Sequence, residues 1–184
     1  VLETAGQLGL EAQQDATGNV LVRKPANPGK QRAASVCLQS HLDMVCEKNA
    51  DKVHDFTKDP IELVRDGSVL RANGTTLGAD NGVGVAAALA VAEDRSLEHG
   101  SLELLFTIDE ETGLTGAQRL EPGFFRSRIL LNLDSEQEGE IYVGCAGGQD
   151  TRGTWKVARE AARANMVALE LRVTGLRGGH SGLE

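Results

Sequence analysis

Short apolar runs separated by polar stretches recur along the first three-quarters of the chain. Each run is rich in branched aliphatic residues, which is typical of buried β-strands. Two shorter strands, Ile61–Val64 and Ser68–Arg71, flank Asp66-Gly67, a dipeptide that favours a hairpin turn. The longer predicted strands are Val20–Arg23, Ala34–Leu38, Ser101–Ile108 and Ile129–Leu133.

Helical segments are predicted between these strands. Val1–Leu10 looks like the last turns of a helix, and Thr115–Leu120 is a short helix candidate. The segment Val83–Glu93 is rich in alanine and apolar on nearly every side, so we expect a buried helix. Asp80 and Asn81 stand where its N-cap belongs, and capping is the commoner role for such an aspartate. Strands alternating with helices indicate an α/β domain.

The pattern becomes more amphipathic after residue 150. Thr154–Ala158 and Met166–Val173 are predicted as the first strands of a second unit. A glycine-rich loop, Gly175–Gly182, follows them and carries His180. We therefore expect one domain at residues 1–150 and the start of another at residues 151–184.

The composition narrows the classes of protein and partner. The chain of 184 residues is 40% hydrophobic and 25% charged, which fits a globular protein. Its net charge of −8 argues against nucleic acid and anionic membranes as partners. No apolar run reaches the roughly 18 residues of a membrane span, and no signal segment opens the chain. Three widely spaced cysteines indicate reduced thiols and a cytoplasmic location.

His41 and Asp43 come at the end of the strand predicted at Ala34–Leu38. Side chains alternate along an extended chain, so both would point to the same side. A ligating histidine usually has an acceptor beside it, and the pattern therefore suits a metal ligand with its carboxylate partner. Taken alone, the same pattern is more often a surface histidine beside a turn aspartate.

Acidic residues at the ends of the other runs favour the metal site. Asp80 precedes a predicted helix, Glu110 and Glu111 follow a predicted strand, and Asp134 follows another. Ligand sites in open α/β sheets collect at the carboxyl ends of strands, so we expect these carboxylates to converge on His41. The set suits zinc or a similar divalent ion, and its size suits two ions that share a carboxylate. A spare glutamate can act as general base.

Five segments together are similar to a known enzyme family. The segments are SHLDMV, GTTLGADNGVGVAAALAV, LLFTIDEETGL, LNLDSEQEGEIYVGCAGG and GLRGGHSG. They resemble, in the same order, the bacterial cytosolic aminoacyl-histidine dipeptidases (Xaa-His dipeptidases, or peptidase D), which are co-catalytic dizinc exopeptidases. The resemblance implies a three-layer α/β sandwich with a mixed sheet, followed by the first strands of an α+β lid domain.

The resemblance also implies a set of metal ligands. His41 and Asp134 would hold one zinc ion, and Asp80 would bridge it to a second. Glu111 would hold the second zinc ion. Cobalt or manganese could substitute for zinc.

The remaining candidate residues receive catalytic roles by the same resemblance. Glu110 would be the general base for a bridging water between the two zinc ions, and Asp43 would orient His41. His180 would bind substrate and stabilise the tetrahedral oxyanion, and in a homodimer it would reach the site of the second subunit. The implied reaction is hydrolysis of small unblocked dipeptides, including Xaa-His dipeptides.

The sequence departs from the family pattern at several places. The family has a helix before Val1, and after Glu184 a continuation that carries the last zinc-ligand histidine. The resemblance therefore implies that the second metal lacks a ligand in this chain. Cys46 stands where proline is expected, and Thr112 follows the glutamate pair where alanine is usual.

Other functions stay open at this point. A related dizinc amidohydrolase, such as a tripeptidase or deacylase, would use the same residues, although the segments EGEIYVG and GCAGG favour the dipeptidase branch. An inactive metal-binding fragment is a further alternative, against which the intact Glu110-Glu111 pair argues. A nucleotide-binding module is disfavoured because no GxGxxG follows a strand.

Overall fold

The computed structural model of the protein describes residues 1–135, 137–145, 147 and 151–175. It divides into two units, Val1–Glu140 and Ile141–Glu184, and each is described by itself. Among the described residues, the regular elements all lie in the first unit. In chain order they are α1 (Leu2–Gln7), β1 (Glu11–Gln14), β2 (Val20–Lys24), β3 (Val36–His41), β4 (Leu63–Asp66), β5 (Val69–Ala72), α2 (Ala79–Glu93), β6 (Leu102–Thr107), α3 (Thr115–Gln118) and β7 (Ile129–Asn132).

A five-stranded mixed sheet forms the centre of the first unit, with the strand order β1-β2-β6-β3-β7. β1, β2 and β6 are antiparallel neighbours, whereas β3 is parallel to both β6 and β7. The prediction of an α/β fold with a mixed sheet is confirmed. In the register His41 pairs with Thr107, and Gln39 pairs with Asn132. The carboxyl ends of β3, β6 and β7 therefore meet at one edge, where ligand sites of such sheets form.

The predicted strands are all present in this unit, with shifted ends. β3 continues to His41, three residues beyond its predicted end, and so carries the histidine on the strand itself. The predicted hairpin is confirmed as β4 and β5, an antiparallel pair. β1 was not predicted, because its sequence Glu-Ala-Gln-Gln is polar and it pairs only at the edge of the sheet.

Both faces of the sheet are covered. On one face Val22, Leu104 and Phe106 pack with Ala5 of α1 and Ala88 of α2. On the other face the core residues are Leu21, Cys37, Leu105 and Phe124, of which Phe124 comes from the segment that follows α3. The layer on this second face is therefore built by a connecting segment.

The prediction of a buried α2 is correct only for the side of the helix that packs on the sheet. Its buried positions, Asn81, Gly84, Ala88 and Ala92, lie on one side, whereas Val83 is 68% exposed. The sheet covers only one side of the helix, and within the described residues nothing covers Val83. The small residues on the buried side let the helix backbone lie close to the sheet.

The second unit has no helix or strand among its described residues. The strands predicted at Thr154–Ala158 and Met166–Val173 are therefore absent. The alternating apolar pattern is present, but Leu169 and Leu171 are each 91% exposed, and no neighbouring strand pairs with them in the described part. The domain boundary at residue 150 stays a prediction. No helix in the described part of the chain is long and apolar enough to cross a membrane.

Candidate metal centre

His41 lies at the carboxyl end of β3, and its side chain is only 1% exposed. Its Nδ1 is 2.9 Å from the main-chain oxygen of Asp43. A carbonyl oxygen can only accept, so Nδ1 carries a hydrogen and donates it. This hydrogen bond fixes the ring and turns Nε2 toward the carboxylates, an arrangement common to metal-binding histidines.

Two aspartates face this Nε2. Asp80 Oδ1 lies 3.0 Å from it, and Asp134 Oδ1 lies 3.5 Å from it. Asp80 comes from the start of α2, and Asp134 comes two residues after the end of β7. Residues 39 and 93 positions away from His41 along the chain thus converge on one imidazole, as the strand-end argument predicts.

The two glutamates complete the cluster. His41, Glu110 and Asp134 have potential ligand atoms within 4.8 Å of one another, and so do His41, Asp80 and Glu111. The structure therefore brings together all four predicted metal-ligating residues and the predicted base. His41 is common to both groups. Their roles as ligands and base stay predictions.

The carboxylates of this cluster repel one another, and the pKa values of Asp134, Glu111 and His41 are shifted. Burial raises the pKa of Asp134, and the hydrogen bond with Asp80 raises it further, to about 6. Burial also raises the pKa of the Glu111 carboxyl, with smaller contributions from the charges of Asp80 and Glu110. Burial lowers the pKa of His41, but the hydrogen bond with Asp80 and the nearby carboxylates outweigh it, so the pKa is raised overall.

These carboxylates lack a cationic partner within the part of the chain that the structure describes, apart from His41. No lysine or arginine there forms an ion pair with Asp80, Glu110, Glu111 or Asp134. Packing like charges around a buried ring is costly unless a positive charge joins them. One imidazole nitrogen with several carboxylate oxygens is a donor set that suits zinc or a similar divalent ion.

Asp43 has a wider structural role than the predicted one of orienting His41. Its carboxylate accepts hydrogen bonds from the main-chain N–H groups of Glu110 and Glu111, at 3.0 and 3.1 Å. Its Oδ1 also lies 3.4 Å from His41 Nδ1. Asp43 thus connects the histidine at the end of β3 with the glutamate turn that follows β6.

Asn19 closes the base of that glutamate turn. Its Oδ1 accepts the main-chain N–H of Ile108 at 3.2 Å, and its Nδ2 donates to the oxygen of Gly116 at 3.0 Å. Ile108 and Gly116 stand before and after the glutamates, so the turn is held at both ends.

The structure contradicts the alternative interpretation of Asp80 as the N-cap of α2. The N-cap residue is Gly78, with φ +76°, and no side chain makes a capping hydrogen bond. A Cβ atom at Gly78 would come 2.8 Å from Met44 Sδ, so glycine also allows this loop to pass close by. The Asp80 carboxylate is therefore available to His41.

Sequence reasoning missed three amides beside the cluster. Asn81 donates to Asp134 Oδ1, and Asn132 Oδ1 accepts the main-chain N–H of Asp134. Asn132 in turn donates to Gln39 Oε1 across the β3–β7 pair. The available signal was a polar amide next to an apolar run. Of the remaining predicted residues, His180 lies outside the described residues, and the unassigned Cys46 is exposed.

A cleft of about 290 Å³ adjoins the cluster. Its walls include Met44, Val45 and Leu77, and Asp80 and Glu111 line it as well. Mostly apolar walls with a few polar groups are typical of sites for small organic ligands.

Comparison with known proteins gives a consistent result. The chain matches the family described as Peptidase family M20/M25/M40 over residues 37–157. It is 51% identical over 180 residues to the cytosol non-specific dipeptidase of Escherichia coli (strain K12). The matched region covers 98% of this chain and 37% of that protein.

Two solved structures are similar as well. The aminoacylhistidine dipeptidase from Vibrio alginolyticus matches with a TM-score of 0.74 and 53% identity, over 79% of this chain and 29% of that one. The aminopeptidase PepT from Bacillus cereus matches with a TM-score of 0.61 and 26% identity, over 73% of this chain and 36% of that one. This chain thus spans about a third of the length of these relatives.

Proposed function

The chain belongs to the peptidase family M20/M25/M40, and from this premise we propose that the full-length protein is a metal-dependent dipeptidase that uses two zinc ions. The observation that carries the proposal is the cluster around His41. A buried imidazole there faces Asp80 and Asp134 at 3.0 and 3.5 Å, and the described residues supply no lysine or arginine to balance the carboxylates.

The residues of the cluster divide into ligands and a base. His41 and Asp134 would hold one zinc ion, Asp80 would be shared, and Glu111 would belong to the second ion. When bound, the zinc pair supplies Lewis acidity toward the peptide carbonyl and lowers the pKa of water. The Nδ1–H bond to the main-chain oxygen of Asp43 supports this assignment because it leaves Nε2 as the ligating atom.

Glu110 is the proposed general base. It takes a proton from the attacking water and transfers it to the leaving amine, so a single carboxylate serves both steps. Asp43 supports this role because it accepts the main-chain N–H of Glu110 and fixes the turn that carries the carboxylate. His180 is proposed to stabilise the oxyanion that develops on the substrate carbonyl.

The proposed substrates are small unblocked dipeptides, including those of the Xaa-His type. The names of the similar Escherichia coli and Vibrio alginolyticus proteins support this class. The cleft beside Asp80 and Glu111 lies next to the proposed ligands, where a small peptide would have to bind. We also propose a cytoplasmic location, with no nucleic-acid or membrane partner. The full-length protein is proposed to form a homodimer, which sedimentation would test.

The test is peptide hydrolysis by the full-length protein before and after metal removal. Chelation should abolish hydrolysis of β-alanyl-histidine and of other dipeptides, and added Zn²⁺ should restore it. Tripeptides and N-acylated amino acids in the same assay test the alternative functions of tripeptidase and deacylase. Activity that persists after complete metal removal would contradict the proposal.

A pair of aspartate variants tests the site itself. Asp80→Ala should lose zinc and activity together, because the proposed shared ligand is gone. Asp66→Ala is the matched control, since Asp66 lies in the exposed β4–β5 hairpin and its carboxylate pairs with Arg71. It should keep full zinc content and turnover. Normal zinc content in Asp80→Ala would mean that the ligands are elsewhere.

A further inference from the structure

Asn81 occupies a position between two of the carboxylates. It follows Asp80 directly in the chain, and its side chain contacts the segment that carries Asp134. We propose that Asn81 is a positioning residue that sets the spacing between Asp80 and Asp134 and thereby the affinity of the site for zinc. This inference rests on the proposed function, because it takes both aspartates as ligands.

The contacts of the Asn81 side chain are specific. Nδ2 donates to Asp134 Oδ1 at 2.8 Å and to the main-chain oxygen of Leu133 at 2.9 Å. The residue is only 5% exposed, so water does not compete for these bonds. One amide group therefore uses both of its hydrogens on two consecutive residues after β7.

The segment is also held from its other side. Leu133 donates its main-chain N–H to the oxygen of Gln39 at 2.8 Å, and Asp134 donates its own to Asn132 Oδ1 at 3.0 Å. These bonds connect Leu133 and Asp134 to β3 and β7. Asn81 is thus the contact that ties the same two residues to the start of α2.

The link from Asn81 to Asp80 is covalent, and the link to Asp134 is a hydrogen bond. Oδ1 atoms of these two aspartates lie at 3.0 and 3.5 Å from His41 Nε2. A metal ion needs ligand oxygens at fixed separations, and outer contacts that hold ligands typically change metal affinity by about 10- to 100-fold when they are removed.

The packing around Asn81 accommodates this arrangement at some cost. A Cβ atom at Gly84 would overlap Asn81 Oδ1 and would come 2.9 Å from the oxygen of Leu133. Glycine at this position lets the side chain pass between α2 and β7. Asn81 Oδ1 is buried without a hydrogen-bond partner in the described part of the chain, which indicates that the position is not optimised for folding alone.

The experiment measures Zn²⁺ affinity of the full-length protein by competition with a chromophoric chelator, together with thermal unfolding of the metal-free form. Asn81→Leu keeps the approximate volume and removes both donors. Gly84→Ala retains the Asn81 amide, but the added Cβ displaces it from the Leu133 oxygen, so this variant serves as a second test if Asn81→Leu does not fold. The matched control is Asn27→Leu, because Asn27 Oδ1 accepts the N–H of His99 at the opposite end of the sheet.

We expect Asn81→Leu and Gly84→Ala to bind Zn²⁺ at least about 10-fold more weakly while still folded at the assay temperature. Asn27→Leu should lower the unfolding temperature and leave the affinity unchanged. The inference is overturned if the folded variants bind zinc like the parent, or if Asn27→Leu weakens binding equally. If the unsubstituted protein binds no zinc, the proposed function itself fails. If the parent binds zinc and the variants bind it equally well, the role of Asn81 is ruled out and the proposed function is not.

Discussion

Carboxylates lie near both ends of strand β6, and the two sites differ in how their charge is balanced. Near the start of the strand, Glu103 is 6% exposed and accepts hydrogen bonds from the main-chain N–H groups of Arg126 and Ser127 and from the Ser127 hydroxyl. Arg23 Nε lies 3.7 Å away. After the end of the strand, the Glu110–Glu111 turn lies close to Asp80 and Asp134. These two aspartates face one another and the imidazole of His41.

The pKa shifts record this difference. Burial would raise the pKa of Glu103, but the hydrogen bonds from Ser127 and Arg126 outweigh it, and the pKa is lowered. Burial raises the pKa of Asp134 to about 6 because Asp80 adds to the effect. A buried carboxylate whose partners belong to the chain stabilises the fold, whereas one surrounded by like charges requires a cation from outside.

The largest expected effect is on turnover, which should depend on the carboxylates after the end of β6 and not on Glu103 near its start. Glu110→Gln keeps the size of the side chain but removes the base, so turnover should fall by about 10²- to 10⁴-fold with zinc content retained. Glu103→Gln should keep turnover close to that of the parent once the variant is folded. The measurement is dipeptide hydrolysis beside zinc stoichiometry. Near-normal turnover of Glu110→Gln would reassign the base to another carboxylate.

The next effect concerns stability. Glu103→Ala leaves the donors of Arg126 and Ser127 buried without an acceptor and should destabilise the fold by about 3 kcal/mol. Chemical denaturation of the metal-free protein measures it. A loss below about 1 kcal/mol would mean that water replaces the carboxylate and that the site is less closed than its burial indicates.

A smaller effect of opposite sign is expected at the metal site. The pKa of Asp134 is about 6 in the folded protein and 3.8 ordinarily, so the folded state binds more protons between these values. Its contribution to metal-free stability is greatest below pH 3.8 and is lost as the pH rises through 6. Asp134→Asn should therefore stabilise the metal-free protein at pH 8, by on the order of 1–2 kcal/mol.

The control for this prediction is Glu103→Gln at the same pH. The lowered pKa of Glu103 means that its contribution is present above its ordinary pKa of 4.5 and is lost as the pH falls. This variant should destabilise the metal-free protein at pH 8. The measurement is the unfolding midpoint of both variants at pH 5 and pH 8. If Asp134→Asn is destabilised at pH 8, the predicted difference between the two sites is wrong.

The smallest effect provides the reference for an exposed carboxylate. Glu98 pairs with Lys30 at 3.0 Å, and its side chain is 77% exposed. Surface ion pairs contribute little, so Glu98→Gln should change the free energy of unfolding by less than about 0.5 kcal/mol. Chemical denaturation at moderate salt measures this free energy. A larger change would show that charge effects extend beyond the two sites at the ends of β6.

The apolar periodicity predicted most of the sheet, because strands that pack on both faces need continuous apolar runs. It failed where burial depends on the neighbours. β1 is polar and pairs at the edge, α2 is covered on one side only, and the alternating pattern of Met166–Val173 forms no strand in the described residues. Local sequence indicates what can be buried, and the packing partners determine what is buried.

The sequence by itself determined that His41 and the acidic residues stand at the ends of apolar runs or at the start of a helix. The parallel arrangement of β3, β6 and β7 brings His41, the Glu110–Glu111 turn and Asp134 to one edge, and the start of α2 adds Asp80. Only the tertiary structure decided which atoms meet. The bond from Asn81 to Asp134 joins residues 53 positions apart, and the bonds from the Glu110–Glu111 turn to Asp43 span 67 and 68 positions. Such contacts depend on strand register and on helix placement to within an ångström, and no pattern along the chain encodes these distances locally.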